Sequence, residues 1–182
     1  MLSKNQETQI SKFLSFVLRY KPETISLHLD NEGWVNVVEL LDKSKKEITF
    51  TFQDLEQVVE NNNKKRFEFS SDKTKIRAQQ GHSVEVTLNL PFVEPPSKLF
   101  HGTATQFLNS IMQFGLKPMS RHDVHLSTNA DTASQVGSRH GKLVMLEINS
   151  HQMFLDGFKF QCTNNNVWLT QHVPVKYINV KN

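Results

Sequence analysis

The 182-residue sequence predicts an α+β chain of two lobes, the first a winged helix and the second built mainly of sheet. Three observations carry that expectation. Three apolar-periodic segments between about residues 8 and 60 are followed by a strand–turn–strand pattern. A proline-rich stretch then interrupts the chain, with three of the six prolines falling between Asn89 and Lys98. Beyond it the apolar residues fall mostly in short strand-like runs, with two helical segments among them.

The elements follow in chain order. Ile10, Phe13, Leu14, Val17 and Leu18 recur at helical spacing, which predicts an amphipathic helix from about Thr8 to Tyr20. Lys21-Pro22 ends it, because a residue before proline avoids the helical region. Arg19 and Tyr20 then occupy its last turn, where a cation suits the helix dipole. Gly33-Trp34-Val35 predicts a short extended segment, and Asn36 a cap for a helix carrying Val37, Val38, Leu40 and Leu41. Thr51 to Asp54 has the form of a capping box, with Asp where Glu is usual, and opens a third helix that buries Leu55, Val58 and Val59. The helix stops at Asn61-Asn62-Asn63. Lys64 to Phe69, a polar turn at Ser70 to Thr74, and Lys75 to Ala78 then predict a hairpin. Three helices and a hairpin make a winged-helix arrangement. Six basic residues gather at its wing: Lys64, Lys65, Arg66, Lys73, Lys75 and Arg77. Such a patch suits a phosphate backbone, although a charge run also serves as a solvated face.

Residues 89–98 read as an extended linker between a first lobe at 1–88 and a second at 99–182. The second lobe opens on a strand ending in Phe100-His101-Gly102-Thr103. Phe107, Leu108, Ile111 and Met112 predict a helix of about ten residues, closed by Gly115 with Pro118 beyond. Met119 to Ser127 then packs Arg121, His122, Asp123, His125 and two serines into nine residues. Its second half alternates as a strand does. Asn129 to Val136 predicts a second helix and Gly137 to Gly141 a loop. The near-continuous apolar run Leu143 to Ile148 predicts a buried strand. A hairpin over 158–170 and a last strand over 177–180 complete a lobe of sheet with two helices.

Composition removes several classes. Lys and Arg number 21 against 18 Asp and Glu, a formal charge of +3, so distribution matters more than the sum. The single cysteine, Cys162, forbids an internal disulfide and a CxxC site. The polar, acid-containing N-terminus is not a secretory signal and no apolar run approaches a membrane span, so a soluble, cytoplasmic, monomeric protein is expected. Gly137 to Leu143 is not a phosphate loop: three residues separate its glycines and Leu143 stands where Ser or Thr must hold magnesium. No GxGxxG follows a strand. His101, His122, His125 and His140 could bind a metal, but no HExxH and no cysteine pair supports that, and no metal is expected. What remains is Arg19, Arg66, Arg121 and Arg139 with His101 and His125. Arginine grips phosphate through paired hydrogen bonds and keeps its charge, so several drawn from both lobes would make an anion site. Each could equally be an ordinary surface arginine, and spacing alone does not separate the two.

Taken together, several stretches are recognisable: Ser11 to Arg19, Asp30 to Val35, Lys64 to Glu68, Ile76 to Ser83, Leu99 to Thr103, Gly115 to Arg121, Val124 to Ser127, Arg139 to Gly141 and Val167 to Thr170. Over nearly the whole length the chain resembles the RNA 2′-phosphotransferase family, which removes the 2′-phosphate left at a spliced tRNA junction. The resemblance implies a winged-helix N-lobe that binds RNA bearing an internal 2′-phosphate. It also implies a C-lobe with the split β-sheet of ADP-ribosyltransferases that binds NAD as co-substrate. His101, His125 and Val167 would stand at that superfamily's three strand positions, and Gly102, Thr103, Ser127 and Arg139 would join them along the NAD. Arg19, Arg66 and Arg121 match the family's three catalytic arginines. Its catalytic histidine directly follows the first of them, and here that position is Tyr20. A tyrosine hydroxyl can exchange hydrogen bonds but cannot carry an imidazolium charge near neutral pH. The implied reaction has two steps, attack of the 2′-phosphate on NAD with loss of nicotinamide, then transfer of the phosphate to the neighbouring ribose hydroxyl. Two alternatives stand beside it: an ADP-ribosyltransferase that stops after the first step on a nucleic-acid phosphate or protein, and a non-catalytic winged-helix nucleic-acid binder.

Overall fold

The computed structural model describes residues 1–181, the side chain of His140 excepted. The chain is mixed α/β, with two antiparallel sheets and six α-helices among the described residues, and divides into two compact units, Met1–Asn89 and Leu90–Asn182.

In the first unit, α1 (Lys4–Arg19) starts a turn before the expected Thr8. The reason is local: Ser3 and Gln6 form a full capping box, and Leu2 packs onto the core behind it. Its inward residues Ile10, Leu14, Val17 and Leu18 are almost fully buried. At roughly 1.5–3 kcal/mol for each large apolar side chain removed from water, this stripe anchors the unit. A short 3₁₀ turn, Pro22–Ile25, follows. Strand β1 (Val35–Asn36) leads into α2 (Val37–Ser44), where Asn36 caps as expected, its side chain accepting from the amides of Val38 and Glu39. The Thr51–Asp54 capping box also forms and opens α3 (Phe52–Glu60). Strands β2 (Phe67–Phe69) and β3 (Lys75–Ala78) make the expected hairpin, and β1 adds to it in the order β1-β3-β2. The core joins all these elements through Leu14, Leu40, Leu55, Phe67 and Ile76.

The wing's basic patch is smaller than the sequence suggested. Lys73 pairs with Glu56 at 2.6 Å and Lys75 with Asp30 at 3.6 Å. Arg77 pairs with Glu68 at 2.7 Å and stacks over Trp34 at 4.3 Å. Half of the six charges are therefore met by carboxylates from other elements.

The second unit is a six-stranded sheet in the order β7-β8-β5-β4-β6-β9. The strands are β4 (Leu99–Ala104), β5 (Val124–Ser127), β6 (Leu143–Ile148), β7 (Gln161–Cys162), β8 (Val167–Thr170) and β9 (Ile178–Lys181). Strand β4 runs beside β6 over six registered pairs but meets β5 at one, Phe100↔Ser127. The sheet is thus held loosely at its middle. Helix α4 (Thr105–Phe114) ends at Gly115 with φ +76°, as the turn reading required. Helix α5 (Ala130–Gly137) lies directly on β4. A Cβ at Gly102 would come within 1.9 Å of the Ala133 carbonyl oxygen, and one at Gly137 within 2.6 Å of Gly102, so both glycines are required for this close approach.

Two sequence expectations are corrected here. The unit holds a third helix, α6 (Ser150–Leu155), capped by Asn149, whose one fully buried large side chain is Met153. The run 143–148 is buried only in its second half, and Leu143 is 36% exposed. Residues 90–98, read as an extended linker, are fastened to the second unit. Val93 donates to the Phe160 carbonyl at 2.9 Å, Ser150 Oγ donates to the Pro96 carbonyl at 2.6 Å, and Lys98 pairs with Glu147 at 2.7 Å. Among the described residues no helix is long and apolar enough to cross a membrane.

Candidate active-site residues

Arg19 is the last residue of α1 and is 7% exposed. Its guanidinium sits 5.9 Å from the ring centre of Phe67, and Nη2 donates to the Arg66 carbonyl at 3.5 Å. Its own carbonyl accepts from the Ser83 amide at 2.9 Å, which ties the 79–83 segment to the helix end. Arg66 is fixed from the other side. Asn62 Oδ1 accepts from both the amide and Nη1 of Arg66 at 3.3 Å, while Asn62 Nδ2 donates to Ser11 Oγ at 3.0 Å. Between them Lys65 turns through the left-handed region with φ +41°, an uncommon conformation for a side chain with a Cβ. Two arginines 47 residues apart in the chain are therefore neighbours. Tyr20 caps α1, is 37% exposed and faces an open groove beside this pair.

The second unit gathers the other set. Arg121 Nη1 lies 3.0 Å from His125 Nδ1, and His101 Nδ1 lies 3.0 Å from the His125 carbonyl oxygen. Guanidinium nitrogens only donate, so His125 accepts at Nδ1 and carries its proton on Nε2. A carbonyl only accepts, so His101 carries a proton on Nδ1. That bond spans the place where the β4–β5 ladder stops, so the imidazole stands in for the missing strand pairing. His101 is partly buried, and that burial pushes its pKa below the usual histidine value. The bond to the His125 carbonyl opposes the shift and the nearby Arg121 charge adds to it. His101 is thus a neutral ring near pH 7, with Nε2 as an acceptor. The Asp123 carboxyl is raised by burial, with His122 opposing.

The remaining expected residues are spread along the same sheet. Ser127 pairs with Phe100 on one side and Val167 on the other, and its hydroxyl accepts from the Asn129 amide at 3.1 Å. Thr103 is buried opposite Val144 on β6. Gly102 serves the packing of α5 described above. Arg139 lies exposed on the 3₁₀ turn after α5. The side chain of His140, considered above as a metal ligand, lies outside the described residues. Among those described, no three of His, Cys, Asp and Glu cluster as metal ligands would. Asn62 was missed as a site residue. Its asparagine run reads as a helix end, and no local pattern links it to Ser11.

Comparisons with known proteins show which family the chain belongs to. A model of the family described as RNA 2′-phosphotransferase, Tpt1/KptA family, matches residues 5–172. A protein of Flavobacterium johnsoniae named probable RNA 2′-phosphotransferase is 52% identical over 181 residues, 99% of this chain and 100% of that one. Proteins of the same name from Agrobacterium fabrum and Fusobacterium nucleatum are 51% and 49% identical, covering 95% and 96% of this chain and 94% and 98% of theirs. The chain therefore belongs to the RNA 2′-phosphotransferase, Tpt1/KptA family.

Proposed function

We propose that this protein is an NAD-dependent RNA 2′-phosphotransferase. The observation that supports the reading most is the hydrogen bond from the Arg19 guanidinium to the Arg66 carbonyl, which brings these two residues together in a chain that belongs to this family. In this account the first unit is a winged helix that binds RNA, consistent with its three helices and three-stranded sheet. The second is an ADP-ribosyltransferase-like split sheet, consistent with the single registered pair between β4 and β5.

The residues of the second unit suit NAD. Arg121 and the Nε2–H of His125 are donors fit for a diphosphate or ribose hydroxyls, and neutral His101 offers an acceptor. NAD is a co-substrate here and supplies a ribose carbon with a good leaving group. The RNA 2′-phosphate attacks that carbon, forming a C–O bond as the bond to nicotinamide breaks. A phosphate dianion is already nucleophilic, so no carboxylate need activate it. Charge then builds on the phosphorus as the neighbouring ribose hydroxyl attacks it. The RNA 2′-oxygen departs and takes up a proton, leaving 2′-hydroxyl RNA and ADP-ribose 1″,2″-cyclic phosphate. Arg19 and Arg66 are assigned to the phosphate, where preorganised guanidinium groups stabilise the transition state. Arg19, buried and held by backbone partners, comes nearest to that description.

One observation favours a second reading. Tyr20 stands where the family has histidine, and an enzyme slowed at the second step would behave as an ADP-ribosyltransferase acting on an RNA phosphate. The test is nicotinamide release. RNA carrying an internal 2′-phosphate should elicit it from NAD, and the same RNA with a 2′-hydroxyl should not. Release that ignores the 2′-phosphate, or none at all, defeats the proposal.

A further inference from the structure

The groove beside Tyr20 has a composition that the phosphate chemistry does not use. It is an open trough of about 1230 Å³ between α1 and the 60–66 segment. One wall is a single line of α1 residues four apart: Lys4, Thr8, Lys12, Phe16 and Tyr20. Each residue at this spacing neighbours the next, and the line winds slowly round the helix. Phe16 is 42% exposed and Tyr20 37%, so two aromatic rings lie open to solvent one turn apart. The facing wall supplies Asn63, Lys64 and Lys65. The lining residues include five basic and two acidic ones. One of the acids, Glu7, is engaged by Asn61 Nδ2 at 2.7 Å and Gln57 Nε2 at 2.6 Å. An ordinary apolar stripe would face the core, where Leu14 and Leu18 lie fully buried. This one faces outward among amines.

Open aromatic faces flanked by lysines suit unpaired nucleobases, which stack on rings while their phosphates follow the positive charge. Bases inside a duplex are already stacked and do not present a face. We infer that this groove is a docking track for single-stranded RNA flanking the modified nucleotide, with Phe16 as the stacking platform for a base. The inference rests on the reading of the chain as an RNA enzyme. It also moves the RNA contact away from the ion-paired tip of the wing and onto the outer face of α1.

The test is the affinity for a short fluorescent single-stranded RNA with no 2′-phosphate, measured by anisotropy without NAD. Loss of one base–aromatic stack by Phe16→Ala should weaken binding about tenfold. Phe16→Trp should restore it, and binding of a duplex of the same sequence should not respond. Lys12→Ala should flatten the salt dependence by about 0.7 in the log–log slope. Unchanged affinity in Phe16→Ala overturns the inference, as does full restoration by Phe16→Leu. The assay contains neither 2′-phosphate nor NAD, so its failure leaves the phosphotransfer reading standing. Wild-type protein that releases no nicotinamide removes that reading, whatever Phe16 does.

Discussion

The two units place their charged residues by different means. In the first, Arg19 is buried at a helix end, against Phe67 and the Arg66 carbonyl, and Asn62 holds Arg66 from below. In the second, Arg121 is exposed on the loop that enters β5, and its Nη1 lies beside the His125 ring. Ordering a long side chain costs rotamer entropy, roughly 1.5–2 kcal/mol for arginine. For Arg19 folding has already met that cost, whereas for Arg121 a ligand must meet much of it. A rigid cation suits electrostatic stabilisation of a transition state, and a looser one suits closing over a bound co-substrate.

This contrast orders the expected effects. The largest is on activity at the rigid site. Arg19→Ala and Arg66→Ala should each lower kcat by about 10²–10³-fold, the loss typical of a preorganised stabilising donor. Arg121→Ala should show more of its loss in KM for NAD. If Arg19→Ala acts only on KM, the contrast between the sites is broken. Next is the packing that carries the second site. Gly102→Ala would drive a methyl into the Ala133 carbonyl, so a loss of about 3 kcal/mol in chemical denaturation is expected. An unchanged midpoint would show that α5 does not press on β4 as described. A smaller effect, about tenfold, is expected from Tyr20→His, as faster disappearance of ADP-ribosylated RNA in single-turnover experiments. If that species never accumulates in the wild type and the variant is no faster, Tyr20 does not limit the second step.

The smallest effect is in titration. The folded pKa of His101 is depressed, so the unfolded chain binds its proton first as pH falls. The contribution of this ring to stability is therefore present above the unfolded value, about 6.5, and is lost as pH falls from there through the folded pKa. NMR titration should place the His101 midpoint below the usual value, and Arg121→Ala should raise it by removing a like charge. A midpoint that ignores the substitution would separate Arg121 from this cluster.

Much of the fold was legible because it is written locally. The apolar spacing of α1, the caps at Asn36 and Thr51, and the glycine closing α4 each act within a few residues. What was missed depends on distant partners or on elements too short to show a period. Helix α6 has six residues, too few for a repeat, and is held by Met153 and the Asn149 cap. The ion pairs that neutralise the wing join Lys73 to Glu56 and Lys75 to Asp30, partners on other elements. The linker residues look free in sequence because prolines lack donors, yet their carbonyls and neighbours find partners on the second unit. The contacts of Asn62 carry no sequence signal, because they exist only where Ser11 and Arg66 meet.

The central claim is that the phosphate leaves RNA by moving to a ribose of NAD. An RNA labelled in its internal 2′-phosphate, incubated with the protein and NAD, tests this in one step. The account predicts that the label departs only when NAD is present and is recovered as ADP-ribose 1″,2″-cyclic phosphate, beside RNA with a free 2′-hydroxyl. Label recovered as inorganic phosphate, or released equally well without NAD, would contradict it.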